Sequence, residues 1–90
     1  MDLPLRSLPQ NIEAEQCIIG AMTIDKMAIA SALEMLNRDD FYREAHKILF
    51  STIMELFQKN IGVDMITLLN ELQASGRLEA SGGITYVTEV

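Results

Sequence analysis

The sequence has one cysteine, no tryptophan, two prolines and only seven basic residues. Each shortage excludes something. A single thiol, Cys17, can form neither an internal disulfide nor a cysteine-based metal site, and it suits a reducing compartment. No apolar run approaches the roughly 20 residues needed to span a bilayer. The stretch MDLPLRSLPQN lacks a basic segment followed by an apolar one, so no secretory signal is read. The basic residues are scattered singly against 13 acidic ones, for a net charge of −6. That balance offers no footprint for a phosphate backbone, and direct nucleic-acid binding is not expected. The chain also lacks a nucleophile–base pair and a coupled carboxylate dyad. Ser81-Gly82-Gly83 has no G-x-x-x-x-G-K-[ST] run around it and reads as a tight turn before a helix.

What is present is helical pattern. Ninety residues, 49% of them apolar, make one domain with enough apolar surface for a single core. Both prolines, Pro4 and Pro9, fall in the first ten residues, which read as a flexible arm ahead of a domain at 11–90. The strongest signal is Glu44 to Asn60. At about 100° per residue it gathers Ala45, Leu49, Phe50, Ile53, Met54, Leu56 and Phe57 on one arc, with Ile48 alone on the polar side. Asn11 caps a first helix, Ile12 to about Ile24, in which Glu13 and Glu15 sit in the first turn against the helix dipole. Its apolar residues Ala14, Cys17, Ile18, Ile19, Ala21, Met22 and Ile24 leave a polar strip of Glu13, Gln16, Gly20 and Thr23. Mid-helix Gly20 points to close approach of another helix, ahead of a ligand contact.

Asp25 caps a second helix to about Leu36, whose buried side is Ala28, Ile29, Ala32, Leu33, Met35 and Leu36. Met27 and Ala30 fall outside that stripe. Asp39-Asp40-Phe41-Tyr42 reads as a turn whose aromatics fold back onto the core. Gly62 supplies the turn after the long helix. Asp64 caps a fourth helix, Met65 to about Ser75, and Gly76 takes its left-handed C-terminal position with Leu78 closing the apolar contact. Ile84 to Val90 begins a fifth helix, although its β-branched residues would also suit a strand. The expected fold is all-α, a small bundle of about five helices.

Two candidate sites need weighing. His46, the single histidine, lies inside the apolar arc of the long helix. A metal ligand or catalytic base would need partners at ligand spacing, and none is visible. The favoured reading is a partly buried structural histidine bonded to a backbone carbonyl or to a turn carboxylate such as Asp39 or Asp40. Tyr86 has an apolar body and a polar tip, so Ile84, Tyr86 and Val87 form a candidate partner surface. Packing of Tyr86 on the domain's own core is the equal alternative.

Three runs together carry a resemblance. They are Leu8-Pro9-Gln10-Asn11-Ile12-Glu13-Ala14-Glu15-Gln16 with Ile19-Gly20; Asp39-Asp40-Phe41-Tyr42 with His46 and Leu49-Phe50; and Val63-Asp64-Met65-Ile66-Thr67-Leu68 with Leu72, Gly76, Leu78, Gly82-Gly83 and Tyr86. In this order and spacing, the chain is similar to the N-terminal domain of bacterial replicative DNA helicases of the DnaB family. The resemblance covers residues 8 to 90. It implies a non-catalytic domain of a cytoplasmic bacterial protein, continuing into a helical hairpin and an ATPase motor absent from this chain. ATP and Mg would then belong only to that motor, and this piece would need no cofactor. The resemblance further implies a role in organising the collar of a hexamer and in docking the C-terminal domain of primase, with a helicase loader as a further partner. Without the hairpin, the piece alone is expected to be a monomer or weak dimer. It also makes Phe41, Tyr42, His46 and Phe50 one structural constellation. The reading it displaces is a generic helical dimerisation module of another replication or recombination factor.

Overall fold

The computed structural model describes residues 11–90, so the expected arm at 1–10 lies outside the described residues. Five α-helices follow in order: α1 (Ile12–Ile24), α2 (Lys26–Met35), α3 (Glu44–Gln58), α4 (Met65–Ala74) and α5 (Gly83–Glu89). A one-turn 3-10 helix, Arg38–Asp40, lies between α2 and α3. Among the described residues there is no strand, and Ile84 onward is helical as expected.

Local chemistry fixes the helix starts. The Asn11 side chain accepts the Ala14 N–H at 3.2 Å. Asp25 serves two helices at once: its N–H donates to the Ala21 carbonyl at 2.9 Å, and its carboxylate accepts the Met27 N–H at 2.9 Å. α1 and α2 are thus joined by one extended residue, which turns the chain sharply. Asp64 accepts the Thr67 N–H at 2.9 Å while the Thr67 hydroxyl takes the Asp64 N–H at 3.0 Å, a reciprocal cap at the head of α4.

One device closes α3, α4 and the turn that leads into α5. Ile61 N–H reaches the Leu56 carbonyl, Arg77 N–H reaches that of Leu72, and Gly83 N–H reaches that of Leu78, at 3.0, 2.8 and 3.0 Å. These are the long bonds of Schellman caps. The left-handed residues inside these three turns are Asn60 (φ 62°), Gly76 (φ 73°) and Gly82 (φ 107°), and Gly83 (φ 86°) follows the last. Gly76 was expected in this role. Gly62 was not needed for it: Asn60 makes the turn, because its short polar side chain tolerates φ > 0.

α3 is the spine. Its Leu49, Phe50 and Ile53 are fully buried, and around them pack Ile19 and Met22 of α1, Ile29 and Ala32 of α2, Leu68 and Leu72 of α4, and Val87 of α5. Phe41 folds back from the connection onto Phe50, ring centroids 4.9 Å apart. Each large apolar side chain buried this way contributes about 1.5–3 kcal/mol before conformational entropy is counted. Buried Thr52 satisfies its hydroxyl on the Ile48 carbonyl at 2.7 Å.

Four expectations about faces are corrected. Tyr42 is 58% exposed, so only the first aromatic of the Phe41-Tyr42 pair joins the core. Met35 is exposed, because α2 turns only Ile29 and Ala32 fully inward. Ile48 is half-buried against the core. In α1 the inward stripe is Glu15, Ile19, Met22 and Thr23, while Cys17 is exposed and Ile24 is 86% exposed. An apolar surplus all round the helix hid which side faces in.

The two turn residues make opposite predictions. Asn60→Val forces a β-branched residue into the left-handed region and is expected to destabilise the domain by about 1–2 kcal/mol. Gly62→Ala, with no positive φ and open space around its missing Cβ, is expected to be neutral or to stabilise by about 0.4–1 kcal/mol. Thermal melts of both variants check the pair.

Candidate functional site

One buried polar cluster centres on His46. Its ring is fully buried at the start of α3, one turn before Phe50. Nδ1 lies 2.7 Å from Glu15 Oε1 on α1, and Nε2 lies 2.6 Å from the Tyr86 hydroxyl on α5. Glu15 is itself only 2% exposed. A carboxylate so deep must have its oxygens bonded. Oε2 accepts the Tyr42 N–H at 2.6 Å, and Oε1 also accepts the Arg43 N–H at 3.4 Å.

Those two amides explain why the carboxylate is there. Arg43 is the N-cap of α3 and makes no side-chain cap. Glu15 supplies from α1 the negative charge that an N-cap Asp would supply locally, at the positive end of the α3 dipole. His46, in the first turn of α3, completes the cluster.

Hydrogen accounting orients the rest. With Nδ1–H donating to the Glu15 carboxylate, Nε2 is the acceptor and the Tyr86 hydroxyl is its donor. The Tyr86 oxygen then accepts from Gln16 Nε2 at 3.1 Å and from the Arg43 guanidinium at 3.3 Å. The same guanidinium carbon lies 5.8 Å from the centre of the Tyr86 ring. Among the described residues, no buried side-chain nitrogen or oxygen lacks a partner. The ring has a matched seat beneath it: Gly82 is left-handed, and a Cβ there would lie 2.6 Å from a Tyr86 ring carbon.

A carboxylate, an imidazole and a phenol in line can move protons in principle. Here the line is closed by bonds at both ends, and none of the surface grooves described touches His46. Those grooves lie elsewhere: one beside Ile24, Phe57 and Ile61, one beside Gly20, Thr88 and Val90, and an apolar one lined by Ile18, Ala21, Ala28, Met35 and Leu36. The imidazole is fully buried with both ring nitrogens bonded, and the cluster joins α1, α3 and α5 as a clamp.

The histidine's partner corrects the sequence reading. Asp39 is exposed, and Asp40 instead accepts the Asn37 N–H at 3.0 Å within the 3-10 turn. Glu15, 31 residues away, takes the role. Its spacing with Ile19 and Met22, four and seven residues on, was the available signal that it shares their inward stripe. Gly20 meets its expected close approach, from the end of α5: a Cβ there would lie 3.1 Å from the Val90 carbonyl oxygen. Of the candidate partner surface, Ile84 is 58% exposed, Tyr86 is half-buried on His46, and Val87 is fully buried in the core. Val87 is thus no part of the domain's outer surface.

Removing either end of the Glu15–His46 contact strands the other. His46→Ala and Glu15→Gln are each expected to cost about 1–3 kcal/mol of stability. The double variant should fall short of the sum by about 0.5–3 kcal/mol, because the groups share one network. Denaturant titration of the four proteins measures the coupling.

Comparison with known proteins places this architecture. The family model for the DnaB-like helicase N terminal domain matches residues 7–90. The replicative DNA helicase DnaB of Rhodothermus marinus is 43% identical over 82 residues, 91% of this chain and 9% of that protein. The replicative DNA helicase DnaB of Geobacillus stearothermophilus is 42% identical over 82 residues, again 91% of this chain and 18% of the relative. The chain therefore spans less than a fifth of the length of either. The crystal structure of the N-terminal domain of DnaB helicase from Mycobacterium tuberculosis superposes with a TM-score of 0.85 at 38% identity, covering 90% of this chain and 56% of that one. The sequence match across nearly the whole chain and the shared five-helix fold agree, and the chain belongs to the DnaB-like helicase N-terminal domain family.

Proposed function

We propose that this chain is the non-catalytic N-terminal domain of a bacterial replicative DNA helicase, serving the collar of a hexamer and docking the C-terminal domain of primase. The family match over residues 7–90 carries the reading. Nucleotide hydrolysis and unwinding would then reside in the parent protein's motor, with its ATP and Mg, and a helicase loader would be a further partner. The bacterial cytoplasm is the matching compartment. Among the described residues no helix is long and apolar enough to cross a membrane.

The surface supports an interaction role over a chemical one. Ile24, Met27, Met35, Ile66 and Ile84 are all largely exposed. Such a density of large apolar side chains on a small domain favours contact with other protein. Net charge −6 disfavours direct contact with DNA. We assign the apolar groove between α1 and α2, rimmed by Ile18, Met35 and Leu36, to contacts between subunits. The exposed edge of α5 at Ile84 is assigned to primase.

The two assignments separate experimentally in the parent helicase. Ile84→Glu is expected to weaken binding of the primase C-terminal domain by about tenfold or more, as loss of an interface hot spot does, while leaving the hexamer intact. Met35→Glu is expected to shift subunit assembly and leave primase affinity unchanged. Calorimetric titration and light scattering read the two effects. Unchanged primase affinity in Ile84→Glu sinks the α5 assignment.

A further inference from the structure

We infer that α5 is a strap held shut by the Tyr86 hydroxyl, able to open and reseat as a unit while α1 to α4 stay folded. Three observations converge on this. The first is how little apolar anchorage α5 has. It is seven residues long, too short to be helical on its own. Its one fully buried side chain is Val87; Ile84, Thr85, Thr88 and Glu89 all face outward. Its N-cap, Gly82, has no side chain with which to cap it.

The second observation is where the remaining hold is concentrated. Three helices of the chain meet at one oxygen. The Tyr86 hydroxyl lies 2.6 Å from His46 Nε2 of α3, 3.1 Å from Gln16 Nε2 of α1 and 3.3 Å from the Arg43 guanidinium ahead of α3. These bonds span 40, 70 and 43 residues of sequence. They are tertiary bonds that release together if the ring swings away, and none is needed for the helical hydrogen bonds of α5 itself.

The third observation is that the hinge is built for one seated position. Gly82 and Gly83 both have positive φ, at 107° and 86°. Two successive glycines give the backbone freedom to rotate about the strap's base. In the seated state the ring lies directly over Gly82, where a Cβ would meet it at 2.6 Å. At the far end the Val90 carbonyl lies against Gly20, so seating α5 also fixes where the backbone passes α1. The heading of the chain at Val90 thus depends on a hydroxyl that reads the orientation of a buried histidine.

Residue-resolved amide hydrogen exchange tests this on the 90-residue chain. In the wild type, amides of α5 are expected to exchange by local opening, with less protection than those of Leu49 to Ile53 in α3. Tyr86→Phe removes one oxygen and keeps the ring. It should lower protection in α5 by at least roughly threefold, the factor one net hydrogen bond supplies, and α5 should remain less protected than α3. Gln16→Ala, which removes one donor on the other side of the latch, should produce a smaller loss in the same amides. Unchanged α5 protection in Tyr86→Phe would overturn the strap. So would α5 amides that exchange only by global unfolding, or a Tyr86→Phe chain that fails to fold.

Discussion

The bond between Glu15 and His46 is the constraint on which the rest of this domain depends. It places a carboxylate and an imidazole together where water cannot reach either. Such a pair is tolerated only if its remaining atoms are matched. The matching then dictates much else. The second carboxylate oxygen must find a donor, and it finds the Tyr42 amide just ahead of α3. The second imidazole nitrogen must find a hydroxyl, and it finds one on α5. The relative position of three helices and one connection follows from satisfying two side chains.

This arrangement also divides labour between polar and apolar contacts. Leu49, Phe50, Ile53, Ile19, Leu68 and Leu72 supply the bulk of the stabilisation. Dispersion and burial are poor at fixing rotation about a helix axis, since an apolar face is satisfied by many small rotations. Hydrogen bonds of 2.6 and 2.7 Å are not. The apolar surplus of α1 makes the point. By hydrophobicity alone, Ile24 or Cys17 could have faced inward as readily as Glu15. The carboxylate's need for the α3 amides selects the rotation that exposes Ile24.

Much of this was legible in the residues. The helix boundaries came from caps, because Asn11, Asp25, Asp64 and Gly76 act on amides and carbonyls within a few positions of themselves. The burial of Leu49, Phe50 and Ile53 came from helical periodicity, which a lone face makes unambiguous. Asn60 was missed as a left-handed residue because the nearby Gly62 has the stronger prior for such a position. Tyr42 was placed inward because aromatics usually are, yet the chain there spends its backbone N–H on Glu15 and turns the ring out.

What the sequence by itself determined acts over one or two helical turns: five helices, most of their caps, and which arc of α3 is apolar. The resemblance carried by its three runs pointed to the same fold as the comparisons. Only the tertiary structure decided that Glu15 rather than Asp39 or Asp40 meets His46, and that Tyr86 closes the chain from the far side. The physical reason is range. A cap is chosen by its neighbours in sequence, whereas a bond across 31 or 40 residues exists only after the apolar core has brought the helices together.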